Sequence, residues 1–111
     1  MFETEIIDGI PIIKGVNTQK INALNSEDFK VVLKNNLANN KAIIINFLEI
    51  RYIDSTGFSV LLSVFDQAKK SDKRMLLVNI SPEVTGLFKI TKLNKVFDLY
   101  PTLNDAIKTL Q

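Results

Sequence analysis

The chain of 111 residues contains neither cysteine nor histidine. Without cysteine, disulfides, thiolate metal sites and thiol chemistry are excluded. Without histidine, the commonest general base, the usual partner of a catalytic serine and the commonest metal ligand are missing together. No glycine-rich phosphate loop of either standard spacing occurs, and no metal or cofactor is expected. No apolar run approaches the length of a membrane span, and Met1 is not followed by a basic region and an apolar signal core. The expectation is a cytoplasmic protein without membrane insertion. A formal charge of +2 is too small to imply nucleic acid.

The composition that remains is that of an ordinary globular protein, 46% hydrophobic and 23% charged. The length predicts one domain over residues 1–111, large enough to bury a core. Its most informative stretch is Ile53-Asp54-Ser55-Thr56-Gly57-Phe58. An apolar run and a short linker lead into it, and an amphipathic helical pattern follows. A hydroxyl residue is thus set at a helix N-terminus between a carboxylate and a glycine. Free backbone N–H groups and the helix dipole would favour a phosphate there. Gly57 would permit tight packing or close approach of a partner backbone. The plain alternative is a helix start, since Asp, Ser and Thr are common N-caps.

Patterning along the rest of the chain gives an α/β order of β-β-α-β-α-β-α-β-α. Phe2 to Ile7 and Ile10 to Val16 read as a hairpin around Asp8-Gly9, with Pro11 restricted to an edge or first position. Asn25 is the expected N-cap of the first helix, with Leu24 stapling against Phe29 and with Phe29, Val32, Leu33 and Leu37 facing inward. Ala42 to Phe47 reads as a central strand covered on both faces. The second helix is expected to bury Phe58, Leu61, Leu62, Phe65 and Ala68, leaving Val60 outward as an apolar partner contact. Met75 to Ile80 is the next strand. Ser81-Pro82 then opens a helix carrying Val84, Leu87 and Phe88 inward. Val96 to Tyr100 forms the last strand, and Thr102 caps a helix with Leu103, Ala106, Ile107 and Leu110 on one side. Strand–helix alternation requires a mixed, mostly parallel sheet, with sites beyond the strands' carboxyl ends. Lys89, Lys92 and Lys95 form a basic cluster, read as solubility and helix C-terminal charge.

The segment Tyr52 to Leu62 resembles the signature of STAS domains, the family of bacterial anti-sigma-factor antagonists. The likeness continues through Leu76 to Val84, Leu87 to Leu93, Val96-Phe97 and Leu103 to Ile107, and upstream through Lys20 to Asn25. It covers nearly the whole chain and implies a STAS-like fold. Many antagonists carry Gly-Glu-Ile/Leu-Asp in the upstream loop, where this chain reads Gln19-Lys20-Ile21-Asn22.

The resemblance implies that Ser55 is phosphorylated by a partner serine/threonine kinase that is also the anti-sigma factor. Unphosphorylated protein would bind that kinase and free the sigma factor; a serine phosphatase would reset the cycle. Asn22, Asp54, Thr56, Gly57, Phe58 and Val60 would form the docking surface. The expected function is a binding switch in transcription regulation, not an enzyme. The alternative is a STAS-type accessory subunit of a lipid-transporting ABC complex, in which Ser55 need never be modified. The chain lacks the acidic pair that a receiver domain carries after its first strand, and it lacks the His or Cys that would count for a hydrolase with Ser55 as nucleophile.

Overall fold

The computed structural model describes residues 1–111 as seven strands and four α-helices. Five strands form one sheet in the order β1-β2-β4-β6-β7: Phe2–Ile7, Ile10–Gly15, Ala42–Asn46, Arg74–Val78 and Asp98–Tyr100. β1 and β2 are antiparallel, and the remaining pairs are parallel. The hairpin turns where expected, with Asp8 and Gly9 both at positive φ, as a two-residue turn with right-handed strand twist requires. Pro11 lies one residue before the β2–β4 ladder begins at Ile12. The last strand is shorter than its apolar pattern, because Leu93–Lys95 closes into a 3-10 turn first.

β4 lies at the middle of the sheet, and its isoleucines show why an unbroken apolar run belongs there. Strand side chains alternate between faces. Ile43 and Ile45 join the larger core, while Ile44 joins the smaller one on the opposite face. The larger core is closed by α1 (Ser26–Ala38), α2 (Ser55–Lys70) and α3 (Pro82–Ile90). The smaller is closed by α4 (Leu103–Leu110), whose Ala106 and Ile107 cover Ile12, Ile44, Leu76 and Val78.

Two further features were not visible in the pattern. Lys20–Ile21 and Tyr52–Ile53 form a separate two-stranded parallel ladder, β3 with β5. In addition, α1 has no basic residue in its last turn. Lys73, from the turn before β6, supplies one by donating from Nζ to the carbonyls of Leu37 and Ala38 at 2.6 and 3.2 Å. A cation there adds to the backbone N–H groups of Asn39 and Asn40 on the Leu37 carbonyl and complements the helix dipole.

Phe88 joins the helical layer to the sheet. It is fully buried and packs its ring against Phe47, Phe58 and Phe97, with centroids 6.5, 5.3 and 5.7 Å away. Truncation leaves a cavity that three rings on different elements cannot close. We predict that Phe88→Ala lowers unfolding free energy by about 3–5 kcal/mol, measured by urea denaturation. A loss below about 1 kcal/mol would contradict this packing.

Candidate functional site

The Asp54 to Phe58 segment is anchored at the carboxyl end of β4. Asn46, the last residue of that strand, accepts through Oδ1 from Leu48 N–H and from Asn79 Nδ2. The chain then reaches β5, where Arg51 and Tyr52 both donate from their backbone to Gln19 O. Asp54 N–H donates to Ile21 O at 3.0 Å. The Gln19 to Asn22 segment is thereby held alongside the entrance to α2.

The loop leading into α1 has its own braces. Asn22 Oδ1 accepts from Leu24 N–H, and the Asn22 carbonyl accepts from Asn25 and Ser26 N–H. Asn25 stands at the N-cap position but does not cap with its side chain. Its Oδ1 accepts from Asn22 N–H and its Nδ2 donates to Lys20 O, so the loop has taken both groups. Leu24 does not staple against Phe29; the tight turn throws it outward, and it is 94% exposed.

Asp54 is the N-cap of α2. Its Oδ1 accepts from Thr56 N–H at 2.9 Å, Gly57 N–H at 3.2 Å and the Thr56 hydroxyl at 2.5 Å. Its main-chain carbonyl takes Phe58 N–H. The expected cradle of free N–H groups is therefore absent: within the first turn only Ser55 N–H is left over. The carboxyl is held below its ordinary value of 3.8, foremost by the Thr56 hydroxyl, against partial desolvation, with help from the Gly57, Thr56 and Ala23 N–H groups.

Ser55, the first residue of the helix, is exposed, and its hydroxyl has no hydrogen-bond partner within the protein. Asp54 thus orients Thr56 and not Ser55. The two neighbouring hydroxyls differ sharply: that of Thr56 is engaged and half-buried, that of Ser55 free.

The residues after Thr56 serve the interior. A Cβ on Gly57 would lie 2.5 Å from Ile53 Cγ1 and 2.9 Å from Ile21 Cγ2, so the glycine admits the β3–β5 ladder against α2. Of the two roles expected for Gly57, tight packing is the one it performs. Phe58 is half-buried against Phe88. Val60 corrects the expectation of an outward contact, being only 8% exposed within the main core. The buried stripe is Gly57, Val60, Leu61, Val64 and Ala68, with Leu62 39% exposed. Both stripes have helical spacing; only the packing of α2 between α1 and the β3–β5 ladder distinguishes them. The outward face carries Ser55, Ser59, Leu62, Ser63 and Asp66.

The site is thus a helix start with an exposed hydroxyl, set beyond the strands of a mixed sheet. The STAS domain family model matches residues 1–106, and the chain belongs to that family. The anti-sigma-B factor antagonist of Bacillus subtilis (strain 168) is 35% identical over 51 residues, 46% of this chain and 47% of that relative. The match thus spans about half the length of that protein. An anti-sigma factor antagonist from Mycobacterium paratuberculosis superposes with TM-score 0.84 at 22% identity, over 98% of this chain and 92% of that one. The Bacillus cell fate determinant SpoIIAA in its phosphorylated form superposes with TM-score 0.74 at 19% identity, over the whole of both chains.

Two predictions follow from this geometry. Gly57→Ala gains up to about 1 kcal/mol of helix propensity but meets an overpacking cost of about 1–3 kcal/mol. It should therefore destabilise. Gly86 in α3 has nothing within 4 Å of an added Cβ, so Gly86→Ala should stabilise by about 0.5–1 kcal/mol. Opposite shifts of the urea midpoint are expected, and a stabilising Gly57→Ala would contradict the close approach.

The second concerns acid. A carboxyl whose pKa is lowered by folding adds stability above its unfolded value and loses it as pH falls through the folded one. For Asp54 that window opens at about 3.8 and runs downward. Asp54→Asn keeps a capping oxygen but does not titrate. The variant's stability should fall less steeply than wild type below pH 4, as read by thermal melts across pH 2–6; parallel curves would remove the role given to the carboxylate.

Proposed function

We propose that this chain is an anti-sigma-factor antagonist working as a phosphorylatable binding switch. With Ser55 unmodified it docks on an anti-sigma factor serine/threonine kinase and releases the sigma factor. The kinase transfers the γ-phosphoryl group of ATP to Ser55 Oγ; ADP leaves, and the hydroxyl proton passes to a base supplied by the kinase. A serine phosphatase hydrolyses the ester and restores the docking form. In this reading the protein itself binds and is modified, and catalysis belongs to its partners.

The observation that carries the proposal is the free, exposed hydroxyl of Ser55 beside a Thr56 hydroxyl already bound to Asp54. The relatives support it through their names: the Bacillus subtilis match is an anti-sigma-B factor antagonist, and SpoIIAA has a phosphorylated form. The docking surface comprises Asn22, Asp54, Thr56 and Ser55 with two residues the sequence reading left out, Leu24 and Leu62. Gly57, Phe58 and Val60 contribute from within by fixing the position of α2.

The charge argument gives the switch its sign. A phosphoryl group brings about 1.5 to 2 negative charges. The N–H groups of Thr56 and Gly57 are held by Asp54, so the dianion gains little from the helix end and faces a carboxylate. In water this is tolerable. At a contact that excludes water, an unmatched charge costs several kcal/mol, enough to abolish docking.

Affinity purification from the source cell tests this. A Ser55→Ala bait should retain an ATP-binding serine kinase with anti-sigma activity, and a Ser55→Asp bait should lose it. With that kinase and ATP, wild type should take up one phosphate and Ser55→Ala none. Leu24→Ser and Leu62→Ser should weaken the complex at least about tenfold with an unchanged melting temperature, since both side chains are exposed. Equal recovery of a transporter ATPase by both baits would replace this reading with that of an accessory subunit.

A further inference from the structure

The far end of α2 carries a second surface unconnected with Ser55. Lys69 lies on α2 about 21 Å along the axis from Ser55, at the usual helical rise. Its Nζ sits 5.7 Å from the centre of the Phe65 ring, which packs on Phe97. Beside Phe97 the chain makes consecutive tight turns: Lys92 N–H donates to Lys89 O, Lys95 N–H to Lys92 O, and Val96 N–H to Leu93 O. Residues 89–96 are thereby held together as one knuckle.

That knuckle is both cationic and apolar. Lys89, Lys92 and Lys95 are exposed, as is Lys69, and none of the four is in a salt bridge. From Val84 to Phe97 there is no Asp or Glu at all. The flanking Glu83 and Asp98 are engaged by Arg51 and Arg74. Among the lysines stand Ile90, 80% exposed, and Val96, 46% exposed. Lys92 holds a left-handed backbone, φ 62°, a conformation that glycine would adopt with less strain. Helix-end charge accounts for Lys69, Lys89 and Lys95, but not for Lys92, which opens the 3-10 turn, nor for the bare aliphatics beside the lysines.

We propose that this knuckle is a peripheral binding surface for anionic lipid headgroups. Three features favour lipid over an acidic protein segment. All the cations are lysines, which act as hydrated point charges on diffuse anionic surfaces; arginine is the usual partner for defined carboxylates. No cavity of the molecule includes any residue from Leu87 to Phe97, whereas peptides are normally seated in grooves. Exposed aliphatics interleaved in the chain with exposed lysines, Ile90 after Lys89 and Val96 after Lys95, suit an interface of headgroups above acyl chains.

The test is cosedimentation with phosphatidylglycerol-containing and with pure phosphatidylcholine vesicles. Binding to the former alone is expected, weakening steeply with salt. Lys92→Gln/Lys95→Gln should lower affinity roughly 25-fold, about fivefold per lysine, while Lys30→Gln/Lys34→Gln on α1 should lower it little. The chain has no tryptophan, so Ile90→Trp provides a single fluorophore whose emission should shift to the blue on the anionic vesicles. Circular dichroism checks that each variant is folded. Equal losses in both double variants would reduce the effect to net charge and overturn the proposal, as would an unshifted Ile90→Trp emission. Equally tight binding of soluble polyglutamate to the same lysines would assign the surface to an acidic protein instead.

Discussion

The carboxylate of Asp54 sets the chemical character of the site. By accepting from two backbone N–H groups and the Thr56 hydroxyl, it completes the first turn of α2 from inside the chain. A helix N-terminus otherwise offers a place for an external anion. Here that place is filled, and the hydroxyl of Ser55 next to it is left without a partner. The same bonds extend its ionisation into the acid range, below the ordinary carboxyl value of 3.8. Ser55 is therefore presented beside a permanent negative charge, on a helix start that needs nothing from outside to be stable.

The position of that helix start depends on the two-residue ladder of β3 and β5. Ile21 and Ile53 are buried beneath α2, and the contact is close enough that only a glycine fits at position 57. A loop that precedes α1 and a loop that precedes α2 thus become one rigid surface, although thirty residues of chain, about the length of a βαβ unit, lie between β3 and β5. Asn22 and Asn25 complete it through hydrogen bonds internal to the loop. The neutral amide of Asn22 accepts Leu24 N–H within that loop, so its difference from the usual family carboxylate does not by itself loosen the surface.

How much of this was legible in the sequence depended on the range of the forces involved. Ala42–Asn46 and the helix starts at Asp54, Ser81 and Thr102 were readable, because apolar runs and capping residues act locally. The ladder of β3 and β5 was not, since two residues carry no periodicity and the partners meet only after α1 and β4 have folded. Val60 and Leu62 exchanged their expected places for the same reason. A helical wheel locates an apolar sector about 100° wide, but the direction of its centre is set by neighbours. Leu24 was misassigned because the staple rule assumes a side-chain cap at Asn25, whose side chain the loop uses elsewhere.

These constraints bear on how a modification could act. A switch that works by refolding needs two arrangements of similar free energy. Nothing around Ser55 offers a second one: Gly57 is locked against Ile21 and Ile53, and Phe58 is packed on Phe88. The cap bonds are made by Asp54 whether or not its neighbour is modified. What a phosphoryl group changes is the charge of an exposed point on a rigid surface, and a partner that must strip water from that point bears the entire difference. Rigidity is then an advantage, since none of the electrostatic effect is absorbed by movement of the domain. On the proposed switch, the discrimination would lie in the complex, with one folded structure serving both states.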